Sequence, residues 1–157
     1  MIDVRLEPDP RVARAVQEQL TARLPEWFGR PEANRHYAAQ AEILAAYVAR
    51  LNGTPRGLLL LKRHGMRSAE IYWMAVDPAF HRHGIGRALL RTATAVLAEE
   101  GRELLFALTL GPDDPNPHYH ETRAFYEREG FFLALREHGE DRSPMVWYVR
   151  LLSEGAR

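Results

Sequence analysis

Val76-Asp77-Pro78-Ala79-Phe80-His81-Arg82-His83-Gly84-Ile85-Gly86-Arg87 joins two different kinds of sequence. Before it, Ala69 to Val76 is rich in β-branched and aromatic residues and reads as a strand. After it, Arg87 to Glu100 reads as a helix, with Leu89, Leu90, Ala93, Val96 and Leu97 on one face and Gly101 at its C-terminal cap. Leu104 to Leu110 follows as an apolar strand. A strand–helix–strand unit of this kind usually carries parallel strands joined by a right-handed crossover. The loop itself has phosphate-binding chemistry. The opening N–H groups of a helix lack intrahelical acceptors, and its dipole adds partial positive charge there. Glycines let a phosphate approach those donors closely. Arg82, His83 and Arg87 add positive charge around Gly84-Ile85-Gly86. A turn with no ligand is the alternative.

On the N-terminal side, Ile2 to Leu6 alternates and predicts a short strand. Asp9-Pro10 opens a helix, with Asp9 as N-cap, and Val12, Val16 and Leu20 share its apolar face. Pro25 and Gly29-Arg30-Pro31 punctuate its end. Glu32 to Leu51 divides into a helix and, from about Leu44, a strand that enters a hairpin at Asn52-Gly53. Gly57 to Lys62 is the next strand, with a turn at Gly65. On the C-terminal side, Gly111 to Pro117 is a loop and His118 to Glu129 a helix ended by Gly130. Phe131 to Leu135 and Met145 to Leu151 are closing strands. The sum is a mixed α/β fold: a mostly antiparallel sheet with a central parallel strand–helix–strand unit, in one domain over residues 1–157.

Composition excludes several classes. Lys and Arg total 21 and Asp and Glu total 21, so no nucleic-acid partner is expected, since phosphate-coating proteins carry a basic excess. The absence of cysteine rules out disulfides, thiolate catalysis and Cys-based zinc sites. His81/His83 and His118/His120 form His-x-His pairs without a third ligand at fixed spacing, so no metal is expected. No apolar run approaches a membrane span and Met1 to Leu6 does not resemble a signal peptide, so a soluble cytoplasmic protein is expected. Twenty of the 21 basic residues are Arg, and Lys62 is the sole lysine. Genomic base composition explains that bias better than phosphate binding does.

A dinucleotide fingerprint wants a third glycine where Leu89 stands, and an acid at the end of the next strand, which here reads Leu108-Thr109-Leu110-Gly111. A P-loop wants Gly-Lys-Ser/Thr, which does not occur. His81-x-x-Gly84-x-Gly86 instead resembles the Gln/Arg-x-x-Gly-x-Gly/Ala motif of GNAT N-acetyltransferases, flanked as usual by Val76-Asp77-Pro78 and Ala88-Leu89-Leu90. Phe125-Tyr126-Glu127-Arg128-Glu129-Gly130-Phe131 resembles the family's second signature, at the usual separation. The first motif position departs, with His81 in place of Gln or Arg. Where many members carry Asn at the start of the last helix, this chain has Tyr119, with Asn116 earlier in the loop.

The resemblance implies an acetyl-CoA-dependent transfer to a primary amine by direct attack. Cofactor contacts then fall on Met74, Ala75, Val76, His81, Arg82, His83, Gly84, Ile85, Gly86, Arg87, Tyr119 and Tyr126. Tyr126 is expected to protonate the departing thiolate, with core packing beside Phe125 as the alternative. Met74 to Val76 would offer backbone donors to the oxyanion and the pantetheine arm. Glu70 matches the general base of GNAT histone acetyltransferases; the alternative is an exposed carboxylate at a strand end. His118 or His120 is a second source of base catalysis. Tyr72 and Trp73 lie on opposite strand faces, and Tyr72, Trp73 and Thr109 are candidates for the acceptor site. Arg123 is expected to pair with Glu127 at four-residue spacing. The acceptor is a small-molecule or protein amine, and a homodimer stays open. A catalytically silent acyl-CoA-binding module and a protein-interaction domain are the competing functions.

Overall fold

The computed structural model describes residues 1–152, so the last five residues of the expected 1–157 domain lie outside the described residues. Its elements are β1 (Ile2–Leu6), α1 (Pro10–Arg23), α2 (Pro31–Ala41), β2 (Ala45–Leu51), β3 (Thr54–His64), β4 (Ser68–Val76), a 3-10 turn (Pro78–Phe80), α3 (Ile85–Glu99), β5 (Leu104–Leu110), α4 (His118–Arg128), β6 (Phe132–His138) and β7 (Pro144–Leu151). The strands form a seven-stranded sheet in the order β1-β2-β3-β4-β5-β7-β6. β4 and β5 are parallel neighbours, while β1–β2, β2–β3, β5–β7 and β7–β6 run antiparallel. The mixed α/β class expected from the sequence is therefore the observed one. The chain gathers into two compact units, the first Met1–Lys62 with Tyr72–Val96, the second Arg63–Ile71 with Leu97 onward.

In the first unit, Asp9 caps α1 by accepting the Arg11 N–H at 2.9 Å, with Pro10 at the first helical position. This is the local chemistry that Asp-Pro predicts. Asn52 and Gly53 have φ of 52° and 83°, both in the left-handed region that a two-residue hairpin turn between right-twisted strands requires. The core packs Ala13, Val16 and Leu20 of α1 against Val48, Leu58, Leu60, Trp73 and Ala75 of the strands. Strand β3 is longer than the apolar run Gly57 to Lys62, because its pairing with β2 extends through Pro55 and Thr54 past a register shift at Ala49/Arg50. Gly57 serves a close approach. A Cβ there would lie 2.7 Å from Ile85 Cγ2 and 3.1 Å from Leu89 Cδ1, so only glycine lets the first turn of α3 sit this close to β3.

In the second unit, Tyr126, Phe131 and Tyr148 form the aromatic core, with Tyr126 edge-on to Phe131 at 5.1 Å and stacked on Tyr148 at 5.9 Å. β6 runs to His138 rather than stopping at Leu135, because its ladder with β7 continues through Arg136 and Glu137. Backbone pairing sets a strand end, and side-chain polarity does not. Glu100 accepts from Arg63 Nη2 at 2.6 Å and from Arg102 Nε at 2.9 Å. Arg102 also donates to the carbonyls of Gly65 and Ser68, both at 2.9 Å. The hydrogen bond from Arg63, then that from Arg102, hold the Glu100 carboxyl at about 2, against an ordinary 4.5.

A carboxyl whose folded value is depressed stabilises the fold above its ordinary value and loses that contribution as pH falls through the folded one. The Tm gap between the wild type and Glu100→Gln is therefore expected to be widest above pH 4.5 and to close as pH falls toward about 2. A gap independent of pH in thermal melts would show that the Arg63–Glu100–Arg102 cluster adds no ionic stability.

Candidate functional site

In the first unit, the strand-to-helix loop is built around a buried carboxylate. Asp77 is 2% exposed. Its Oδ2 accepts from Arg56 Nη1 and its Oδ1 pairs with Arg23 Nη2, both at 3.0 Å. Oδ1 also accepts the Ala79 N–H at 3.0 Å, which caps the 3-10 turn, and the Asp77 N–H donates to Arg56 O at 2.8 Å. The Arg56 guanidinium lies 4.3 Å over the Phe80 ring, and Phe80 meets the His83 ring edge-on at 5.7 Å. One residue thus ties α1 and β3 to the start of the loop. Asp ahead of Pro at a turn is the sequence signal for its capping role.

The His81 ring faces inward. Its Nε2–H donates to Val76 O at 2.9 Å, and Trp27 packs edge-on at 6.1 Å. The histidine at the first motif position braces the loop against the strand it leaves. Arg82 and Gly84 have φ of 66° and 82°. A left-handed arginine is unusual and locates strain in this loop. Helix α3 opens immediately after, at Ile85 rather than Arg87, because the Ala88 N–H already donates to Gly84 O at 3.0 Å. Ile85 is buried, whereas Arg82, His83, Gly84 and Arg87 are exposed. A Cβ on Gly84 would meet nothing within 4 Å, so the outer side of the loop is open.

Also in this unit, the Met74 and Val76 side chains are half-buried and Ala75 is buried. Trp73 is buried against Phe28, with ring centroids 5.1 Å apart, and belongs to the core. The indole packs on the covered face of β4. Tyr72 is half-buried on the other face, its hydroxyl 2.8 Å from His36 Nε2, with the Lys62 ammonium 5.1 Å from its ring.

In the second unit, Glu70 is not the exposed strand-end residue that was its alternative. It is 8% exposed, and its Oε1 lies 2.8 Å from His64 Nε2. His64 was absent from the sequence candidates, because only the β3–β4 turn brings it beside Glu70. The Tyr126 phenol is raised above its ordinary range, first by burial and then by Tyr119. Thr109 is buried on β5, opposite Val146 in the ladder with β7. Arg123 does not pair with Glu127: it donates to Leu110 O at 2.9 Å, while Glu127 accepts from the Tyr148 hydroxyl at 2.9 Å. Burial, then the Glu127 bond, pushes the Tyr148 phenol up to about 12. Asn116 accepts the His118 N–H at 3.0 Å and so helps to start α4.

Residues 42–132 match the model of the acetyltransferase (GNAT) domain. This chain belongs to the GNAT acetyltransferase family. An N-acetyltransferase of Chlorobaculum tepidum is 41% identical over 64 residues, which is 41% of this chain and 41% of that relative's length. Among solved structures, a GNAT-family acetyltransferase of Desulfovibrio desulfuricans superposes with a TM-score of 0.83 at 21% identity, covering 97% of this chain and 99% of that one. A GNAT acetyltransferase of Elizabethkingia anophelis with acetyl-CoA bound superposes with a TM-score of 0.69 at 16% identity, covering 96% and 97%. At these identities the structural likeness speaks for the fold.

A side chain at Gly84 has room but the wrong backbone. Gly84→Ala is expected to cost about 1–2 kcal/mol for the left-handed conformation, and Gly84→Asn less, since asparagine tolerates that region. Equal destabilisation of the two variants in urea melts would mean that φ at Gly84 is not the constraint.

Proposed function

We propose that this chain is an acetyl-CoA-dependent N-acetyltransferase that transfers the acetyl group directly to a primary amine on a small molecule or a protein, and that residues 1–157 act as one domain. The observation that carries this reading is the loop 82–85. Two left-handed residues, Arg82 and Gly84, deliver the chain straight into the N-terminus of α3, with open space outside Gly84 and arginines on both sides. That geometry suits a pyrophosphate, which needs converging N–H donors, a helix dipole and positive charge. The GNAT homologue with acetyl-CoA bound supports the choice of this ligand over other phosphates.

The roles follow from environment. Arg82 and Arg87 meet the diphosphate charge, and the loop backbone between them supplies the donors. The backbone of Met74–Val76, beyond the end of the β4–β5 ladder at Ile71 and Ala107, is offered to the extended amides of the pantetheine arm. Glu70 takes a proton from the acceptor ammonium, which frees the lone pair that attacks the thioester carbonyl. As the C–S bond breaks, the Tyr126 hydroxyl gives its proton to the leaving sulfur, and the phenolate is reprotonated by the proton that the nitrogen of the tetrahedral adduct sheds as the amide forms. A buried phenol with a raised pKa stays protonated throughout the neutral range, the state that a proton donor requires. Tyr72, with its hydroxyl on His36, is the side chain offered to the acceptor.

Calorimetric titration with acetyl-CoA, against NADH as control, tests the ligand. Wild-type protein is expected to bind acetyl-CoA alone, and Gly86→Glu to lose that binding with an unchanged melting curve. Absence of acetyl-CoA binding by the wild type would return the loop to a structural turn. Tyr126→Phe is expected to lower kcat by about 10- to 100-fold with little change in acetyl-CoA affinity. An unchanged kcat would assign thiolate protonation to another donor.

A further inference from the structure

Glu70 and His64 form an asymmetric pair in the second unit: their side chains are 11% and 44% exposed, with Oε1 and Nε2 2.8 Å apart. The turn between them is clamped. The Ser68 hydroxyl donates to His64 O at 3.0 Å, and Arg102 holds the carbonyls of Gly65 and Ser68. The imidazole is thereby held against the carboxylate while its other edge reaches solvent. The charged groups around this turn have partners of their own: Arg63 and Arg102 bind Glu100, and Arg67 binds Glu103 at 2.6 Å. On β3, the Lys62 ammonium lies over Tyr72, and on β5 the residue opposite Glu70 is the uncharged Phe106.

The two states of such a pair differ in chemistry. A neutral imidazole donates one hydrogen bond to Oε1 and leaves Oε2 to receive a proton. An imidazolium would place a full positive charge beside a shielded carboxylate, and an opposite charge nearby favours the ionised form and weakens a base. A weaker base slows proton transfer. Histidine is the side chain that changes charge between about pH 5 and 8.

We infer that His64 is a positioning residue for Glu70 that sets the pH below which acetyl transfer slows: neutral, it aims the carboxylate at the acceptor ammonium, and protonated, it locks the carboxylate in an ion pair. This inference rests on Glu70 as the proton acceptor. In each turnover, the proton moves from the acceptor ammonium to Glu70 Oε2 and is returned to solvent before the next.

The test compares wild type, His64→Gln and Glu70→Gln by thiol release from acetyl-CoA, with spermidine, L-lysine and a peptide with a free N-terminal alanine as amines. Glutamine keeps an N–H for Oε1 and cannot become charged. His64→Gln is expected to retain kcat within about twofold on the alkaline plateau and to move the acid limb of kcat/KM down by about one pH unit or more. A purely structural role would lower the plateau and leave the limb in place. Glu70→Gln is expected to lose about 100-fold at every pH. An unmoved limb in His64→Gln alongside that loss overturns the role of His64 and leaves Glu70 standing. Full activity in Glu70→Gln removes the base assignment itself, and His64 with it. If none of the amines releases thiol, NMR titration of the His64 ring decides: its midpoint is expected to fall in Glu70→Gln, and an unchanged midpoint overturns the coupling.

Discussion

The Asp77 carboxylate is almost wholly removed from water, and two guanidiniums and a backbone N–H compensate it. A buried charge whose partner is lost is destabilising by several kcal/mol, so such a group tolerates few alternative arrangements of its surroundings. Arg23 comes from the end of α1, Arg56 from β3, and Ala79 from the turn after β4. With those three fixed, the departure of the chain from β4 is fixed too. The inward His81 ring adds a second brace, on Val76 O. The left-handed backbone at Arg82 and Gly84 persists because the segment is held on one side by this network and on the other by Ile85, pressed close to Gly57. The part of the loop proposed to meet a phosphate is the exposed remainder of a segment whose inner side is engaged.

Proton chemistry in the second unit follows the same logic of environment. Tyr126 and Glu70 are both buried, and the roles proposed for them are opposite. Burial and the neighbouring Tyr119 keep the phenol protonated. The Glu70 carboxylate has a hydrogen-bonding partner, His64, that reaches solvent. Tyr148, stacked on Tyr126, sends its hydroxyl to Glu127 and so adds packing without competing for the role assigned to Tyr126. Tyr126 is packed in the core, and the burial that this packing brings raises the proton affinity of its phenol.

Much of the fold was legible because its signals are local. Asp9-Pro10 and Asn52-Gly53 specify a cap and a turn through their own backbone and side-chain geometry. The change from an alternating to a helical pattern across residues 76–87 specifies a strand, a loop and a helix. Strand ends were less legible, since β3 and β6 extend through polar residues whose pairing depends on neighbouring strands. The Arg123–Glu127 pair failed for a similar reason. Four-residue spacing made the contact available, but a carbonyl of the preceding strand and a tyrosine hydroxyl from β7 captured the two groups.

The motif spacing by itself determined the family, the class of ligand to expect and the residues of the glycine loop, because glycine placement and helix periodicity act over a few residues. Only the tertiary structure decided what each buried polar group touches. His81 turned inward to brace Val76, Trp73 went to the core while Tyr72 stayed half-buried, Asp77 became the anchor of the loop, and His64 came to rest on Glu70. Each of those outcomes depends on a partner distant in sequence or on which face of an element is covered, and the free energy of burying a charge or a ring is set by what surrounds it after folding.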